Sequence, residues 1–577
     1  MHTTFKKSDM ELSHGQNLDR MLHAAMGRAT SGLSPASLIA AYMDWFVHLS
    51  MSPGKRQRLL EKAIRKYNRL LLYAQSAVGS GHKVPGIEPL PQDRRFAHPD
   101  WQRWPFNLFY QSFLLTQQWW YNATSGVRGV TPHHEQVVTF GSRQLLDMVS
   151  PSNFLWTNPE VLSETCRSGG ANLWQGGLNL LQDWQRQSAG TKPAGAEAFQ
   201  VGRDVAITPG KVVFRNGLME LLQYSPTTAE VRPEPVLIVP SWIMKYYILD
   251  LSPHNSLVNY LVSQGHTVFM ISWRNPGADD RDTGMNAYLK DGIMAALDCI
   301  CRIAPQRKIH GAGYCLGGTL LSIAEAAMAR DSNDRIASVT LLAAETDFTQ
   351  PGELSLFIDE SQIAYIEDTM QDQGFLDGKQ MAGTFALLNS RDLIWSRMVH
   401  DYLMGKRQPI TDLMAWNADA TRLPCRMHSE YLRSLYLKND LAEGRFAVDG
   451  KSVALTDIRV PLFVVGTERD HVSPWRSVYK IHLLTDTEVT FVLTSGGHNA
   501  GIVSEPGHRN RSYRIAKHMH GDKYSDPDTW YSTTSREDGS WWPAWQSWLA
   551  ERSGQSIPSR PVADALEDAP GKYVLAP

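Results

Sequence analysis

The sequence predicts an α/β chain, a mainly parallel sheet covered by helices and preceded by a helical region. Three observations carry this. After residue 205, apolar runs of strand length alternate with amphipathic helical stretches. Up to about residue 190 the apolar spacing is helical, with no period-2 run. A Gly-rich turn, from Gly311 to Thr319, joins a strand directly to a helix.

The elements follow in order. Ser34-Pro35 opens a helix over LIAAYMDWFVHLSM, and the basic stretch Lys55 to Arg69 continues as an exposed helix. Gly79 to Pro91 reads as a loop, and Trp101 to Tyr121 is densely aromatic. Asn216-Gly217 between apolar runs marks a hairpin. VLIVP (236–240), TVFMISW (267–273), Ala337 to Ala343, VPLFVVG (460–466) and EVTFVL (488–493) read as strands. Between them, helices are expected at 256–265, closed by Gly265, from Met285 to Ile303 and from Leu316 to Ala329. The alternation stops between about 345 and 455, which reads as a helical cap inserted over the strand ends. Domains are therefore expected at 1–200, helical, and 201–577, catalytic, with the cap at 345–455. From Ser553 the chain is rich in Pro, Ala and Ser and reads as a loose tail.

Composition narrows the function. The 577 residues carry 57 basic and 59 acidic side chains, a formal charge of −2. That balance argues against a nucleic-acid-binding protein, which usually carries a basic face. No run of about 20 apolar residues is present, so no transmembrane helix is expected. The start, MHTTFKKSDMELSHGQ, lacks the apolar stretch of a secretory signal. The five cysteines are Cys166, Cys299, Cys301, Cys315 and Cys425; odd in number and irregularly spaced, they suggest reduced thiols in the cytoplasm.

One cysteine stands apart. Gly313-Tyr314-Cys315-Leu316-Gly317 places a thiol between glycines on a strand-to-helix turn. That is the context of a nucleophile elbow in an α/β-hydrolase fold, with Cys in place of Ser. Side chains at either glycine would collide with neighbouring backbone, and the helix start favours thiolate. The fold then demands an acid after a late strand and a histidine after the last one. Asp470 follows VPLFVVG, and His498 follows EVTFVL. Glu468 is the runner-up acid, His471 reads as a supporting residue, and His310 is expected to pack beneath the elbow. The other four cysteines lack elbow context and read as packing residues. The oxyanion donors are expected at the backbone N–H of Leu316 and of Ile243, with Trp242 as the alternative.

A cysteine nucleophile forms a thioester, which exchanges easily with acyl-CoA and is consumed downhill by an alcohol. Acyl transfer is thereby favoured over ester hydrolysis. Two groups of aromatic residues, Trp101 to Trp120 and Trp530 to Trp548, read as core or as surfaces for a hydrophobic partner.

The chain resembles the polyhydroxyalkanoate synthases. The resemblance rests on ordered motifs: Pro151-Ser152-Asn153-Phe154, Lys245 to Leu251, Ser272-Trp273-Arg274-Asn275-Pro276, the Cys315 elbow, Trp416 to Thr421, Asp470 to Trp475, and Gly496 to Gly501. It implies Cys315 as acyl carrier with Asp470 and His498 as partners, and (R)-3-hydroxyacyl-CoA as substrate. CoA leaves as product, so no cofactor and no metal are implied. It further implies a homodimer, a growing polyester chain and residence at polyester granules. The long single chain resembles the one-subunit types, and Gly-Tyr-Cys-Leu-Gly-Gly is nearest the short-chain class I pattern. Leu316 and the loop Ser241 to Met244 depart from the commonest wording, leaving monomer length open. Either Asp470 or His498 could activate the 3-hydroxyl. A Cys-triad hydrolase or a small-molecule acyltransferase of the same fold is the rival reading.

Overall fold

A computed structural model describes residues 14–30, 32–78, 86–563 and 565–576. The first 13 residues, and most of the loop expected from Gly79, lie outside them. The chain forms two compact units.

The first unit comprises helix α1 (His14–Ala29), Ala196–Ala382 and Thr411–Pro577. Its frame is an eleven-stranded sheet. In chain order the strands are β1 (Gly210–Arg215), β2 (Met219–Tyr224), β3 (Val236–Val239), β4 (Val268–Trp273), β5 (Ile309–Tyr314) and β6 (Ile336–Leu342). They continue as β7 (Leu462–Thr467), β8 (Val489–Thr494), β9 (Ser512–His518), β10 (Arg536–Asp538) and β11 (Glu567–Asp568). The spatial order is β10-β9-β8-β7-β6-β5-β3-β4-β2-β1-β11. From β4 to β8 all neighbours run parallel, and the edges are antiparallel. These central strands are buried on both faces, which is why they read as continuous apolar runs rather than alternations. The order reverses where β3 slips between β4 and β5, and ligands of open α/β sheets bind at such a switch point. This is the α/β-hydrolase fold read from the sequence.

The helix expected from Met285 contains a π-helical segment, Tyr288–Met294. Gly292 there faces the Trp273 ring, which a Cβ would meet at 2.6 Å. The insertion between β6 and β7 is helical, with the longest helix at Glu360–Gln373 and only two-residue strands. Within it, Gly383–Ile410 clusters with the second unit.

The segment from Ser553 is ordered against the sheet, contrary to its composition. Ile557 and Pro558 pair with Val231 and Glu230, and β11 pairs with β1. The holding groups are backbone: Leu566 N–H donates to Val212 at 2.8 Å and Ala569 N–H to Gly210 at 2.9 Å. An edge strand offers unpaired N–H and C=O groups whatever the side chains of its partner, so composition misses such pairing.

The second unit, Ser34–Gly195 with Gly383–Ile410, is helical. Its helices are α2 (Pro35–Ser50), α3 (Pro53–Val78), α4 (Phe106–Thr124), α5 (Pro132–Met148), α6 (Pro159–Arg167) and α7 (Ala171–Ser188). Ser34 caps α2 by accepting the Ser37 N–H. Trp101 is fully buried among Phe96 and Tyr110. Trp104, Trp156, Trp174 and Trp184 are exposed. Cys166 is exposed too, against the packing role expected of it. No helix among the described residues is long and apolar enough to cross a membrane.

Candidate active site

The site is built where β5 meets the helix Leu316–Arg330. Cys315 joins them with φ 52° and ψ −125°, a strained conformation for a residue with a side chain. Its N–H donates to Leu342 on β6 at 2.8 Å, which locks the turn to the neighbouring strand. The flanking glycines allow the turn. A Cβ on Gly313 would lie 2.3 Å from the Gly318 Cα, and one on Gly317 would lie 2.1 Å from the Val239 carbonyl oxygen. Cys315 is half-buried, and Leu316 begins the helix, so its N–H has no intrahelical acceptor.

The loop after β7 carries Asp470, and the loop after β8 carries His498. His498 Nδ1 lies 2.8 Å from Asp470 Oδ2, which also accepts the Thr467 hydroxyl at 2.9 Å. The second oxygen, Oδ1, accepts the N–H groups of Val472 at 2.9 Å and Ser473 at 2.8 Å. Burial alone would raise the Asp470 carboxyl; His498, the Ser473 amide and Thr467 outweigh it and hold it below its ordinary value. Burial alone would lower the His498 imidazole; Asp470, with the charge on the Cys315 sulfur, holds it well above its ordinary value. The structure thus brings Cys315, Asp470 and His498 together. Glu468 is exposed, and His471 gives its backbone carbonyl to the Glu353 N–H at 2.9 Å. His310 is fully buried beneath the elbow, with Nδ1 2.7 Å from the Ser338 hydroxyl.

Supporting groups fix these loops. Tyr314 donates to Asn499 at 2.6 Å, tying the elbow to the residue after His498. Trp541 and Trp542, both fully buried, donate to the carbonyls of Gly501 at 3.1 Å and Ile502 at 3.0 Å. Trp545 donates to Thr340 on β6 at 2.9 Å. The second tryptophan group is therefore core that braces the histidine loop, and it offers no surface for a partner.

The loop Ser241 to Lys245 after β3 is clamped by the cap. Thr421 donates its hydroxyl to the Trp242 carbonyl at 2.8 Å and its N–H to Ile243 at 3.1 Å. Trp416 donates to the Lys245 carbonyl at 2.7 Å, so its role is to hold backbone. The Ile243 N–H donates to the Ser241 hydroxyl at 3.3 Å. Tyr431, Tyr436 and Glu345 also gather near the thiol and were not read from the sequence; Trp242, expected as the alternative oxyanion donor, packs its ring on Tyr431. A carboxylate closing the apolar run LLAAE at a strand end was the available signal for Glu345. Cys299 is buried and Cys425 half-buried, and burial pushes both thiols up. Among the described residues, no group of His, Cys, Asp and Glu is placed to hold a metal ion.

Comparison with known proteins agrees with this architecture. The family model described as Poly-beta-hydroxybutyrate polymerase (PhaC) N-terminus matches residues 92–261. A model described as Poly-beta-hydroxybutyrate polymerase N terminal matches 14–55, and one described as alpha/beta hydrolase fold matches 234–505. A Poly(3-hydroxyalkanoate) polymerase of Methylorubrum extorquens is 43% identical over 85% of this chain and 82% of its own length. The Poly(3-hydroxyalkanoate) polymerase subunit PhaC of Rhizobium etli is 38% identical over 85% of this chain and 78% of its own. That of Cupriavidus necator is 35% identical over 95% and 93%.

Proposed function

The chain belongs to the poly(3-hydroxyalkanoate) polymerase family, and from that premise we propose that it polymerises (R)-3-hydroxyacyl-CoA through acyl thioesters on Cys315. The observation that carries this is the Cys315 turn with the His498–Asp470 bond behind it.

His498 Nε2 takes the thiol proton while Asp470 holds Nδ1–H and stabilises the imidazolium. The sulfur attacks the thioester carbonyl of acyl-CoA. The Leu316 N–H and an amide of the clamped loop, Trp242 or Ile243, receive the oxyanion. The C–S bond to CoA breaks, and the CoA sulfur leaves with the proton from His498. A 3-hydroxyl then attacks a thioester carbonyl, giving its proton to His498 or Asp470. An ester bond forms, the freed sulfur regains a proton, and the chain is one unit longer. The thioester makes this step downhill, which a serine ester would not. A homodimer and residence at the surface of the polyester it makes complete the reading, and the exposed tryptophans of the helical unit suit the latter.

The test is Cys315→Ala. CoA release from (R)-3-hydroxybutyryl-CoA and polymer yield should both vanish while the fold is kept. Retained turnover would remove Cys315 from the chemistry. Release of free acid by the unmodified chain, with no polymer, would make it a hydrolase.

A further inference from the structure

Glu345 is a buried carboxyl that the reaction above does not use. It stands just past β6, the strand beside β5 and its elbow. Its residue is 4% exposed, and its Oε1 has no hydrogen-bond partner among the described residues. A buried polar atom left unpaired is costly, and a native fold keeps few of them.

Its place is fixed from behind. The Glu345 carbonyl accepts the Thr319 hydroxyl at 2.7 Å, binding the loop to the first turn of the elbow helix. Ala344 packs so tightly on that turn that a Cβ on Gly318 would lie 2.5 Å from its own. The carboxyl lies within electrostatic reach of Cys315, Asp470 and His498. An aromatic wall closes the same space. Trp242 contacts Tyr431, Tyr431 contacts Tyr436, and Tyr436 contacts Phe348, with ring centroids 6.1, 5.4 and 4.9 Å apart. The hydroxyls of Tyr431 and Tyr436 feel both Glu345 and Cys315.

Burial raises the Glu345 carboxyl well above its ordinary value; Asp470 and Cys315 add to this, and His498 and Lys480 oppose it. That shift favours its neutral form, which has an O–H to give and a carbonyl oxygen to accept. On the acyl-thioester reading, the thioester carbonyl would face the amides of Leu316 and the Trp242 loop, on the β3 side. An acyl unit held on Cys315 has one other polar atom, the oxygen at carbon 3.

We propose that Glu345 is a specificity-determining residue, hydrogen-bonding the 3-oxygen of the acyl unit on Cys315 and so selecting 3-hydroxyacyl over plain acyl thioesters. This rests on the acyl-thioester reading above. A site built to bond a hydroxyl rejects the analogue lacking it, because its own polar group is then left unpaired.

Single-turnover CoA release from (R)-3-hydroxybutyryl-CoA and from butyryl-CoA tests this. The unmodified chain should prefer the hydroxy substrate by about ten-fold or more. Glu345→Gln, which keeps a donor and an acceptor, should retain most of that preference. Glu345→Leu should bring it to within about three-fold while still releasing CoA from butyryl-CoA. Glu345→Ala gives the same reading should the Leu variant fail to fold by circular dichroism. A wild-type preference surviving in the Leu or Ala variant would overturn the proposal, as would no preference in the unmodified chain. No release from either substrate would instead overturn the acyl-thioester reading, and this one with it.

Discussion

His498 and Asp470 meet at 2.8 Å through Nδ1 and Oδ2, and every remaining contact of that carboxylate is prescribed. Oδ1 must accept two backbone N–H groups, from Val472 and Ser473. Asp470→Asn therefore keeps its carbonyl oxygen on those amides and turns its NH2 toward His498. Nδ1 then becomes an acceptor, and Nε2 carries the proton it should be taking from Cys315. CoA release is expected to fall about a hundred-fold or more, with the unfolding temperature little changed. An Asn variant as fast as the parent would remove Asp470 from the reaction.

The elbow makes a steric prediction. At Gly317 a methyl would lie 2.1 Å from the Val239 oxygen and 2.6 Å from that of Pro240, both backbone atoms that cannot swing away. Gly317→Ala must open the gap between β3 and the elbow helix. A loss of about 1–3 kcal/mol is expected, as for other forced overpacking, together with loss of CoA release because Leu316 and the loop after β3 separate. Chemical denaturation and a turnover assay check the two halves. By contrast, a methyl on Gly177 of α7 would meet no atom within 4 Å, so Gly177→Ala is a control for turnover.

What was legible follows the range of the signal. Cys315, Asp470 and His498 each sit in a short motif whose strand context is written beside it, so chain order alone pointed to the three residues that the structure places together. The parallel strands were legible because burial on both faces makes them uniformly apolar. β9 and β10 were not, since SYRIAKH and RED lie at an antiparallel edge with polar side chains. Glu345 and Tyr431 were missed because their role comes from Cys315, which lies 30 and 116 residues away from them in the chain. The second tryptophan group was ambiguous for the same reason, since only the fold shows that Trp541 and Trp542 hold the carbonyls after His498.

Acid should unfold the sheet unit early. His266, His310 and His428 are buried, and burial, the first cause in each, pushes their imidazoles down to about 4. The folded chain keeps them neutral while an unfolded chain protonates them near 6.5. Their folded values are depressed, so stability is full above about 6.5, falls as pH drops, and reaches its floor near 4. Each can remove about 3 kcal/mol over that window. His266 is the clean test, because neither ring nitrogen has a hydrogen-bond partner among the described residues. His266→Leu should flatten the fall in unfolding temperature between pH 6.5 and 4; an unchanged slope would show that other groups govern it.

The segment beyond residue 555 should be needed for stability despite its composition. Ending the chain there would strip β11 from the sheet edge and take contacts away from three anchors. Glu220 is fully buried and accepts the N–H groups of Lys572 at 3.1 Å and Tyr573 at 3.0 Å, besides the Arg215 guanidinium. Lys245, also buried, donates to the carbonyls of Val574 at 2.7 Å and Ala576 at 2.8 Å. The Tyr573 hydroxyl donates to Asn216 at 2.7 Å, pinning the hairpin turn. Truncation leaves Glu220 and Lys245 short of partners in places that water reaches poorly, at about 1–3 kcal/mol for each charged group. Lys245 directly follows the loop expected to supply an oxyanion amide, and its carbonyl is the one Trp416 holds. Loss of its ammonium contacts should therefore lower CoA release as well as the unfolding temperature. A chain ending at residue 555 that unfolds and turns over like the full chain would show the segment to be dispensable.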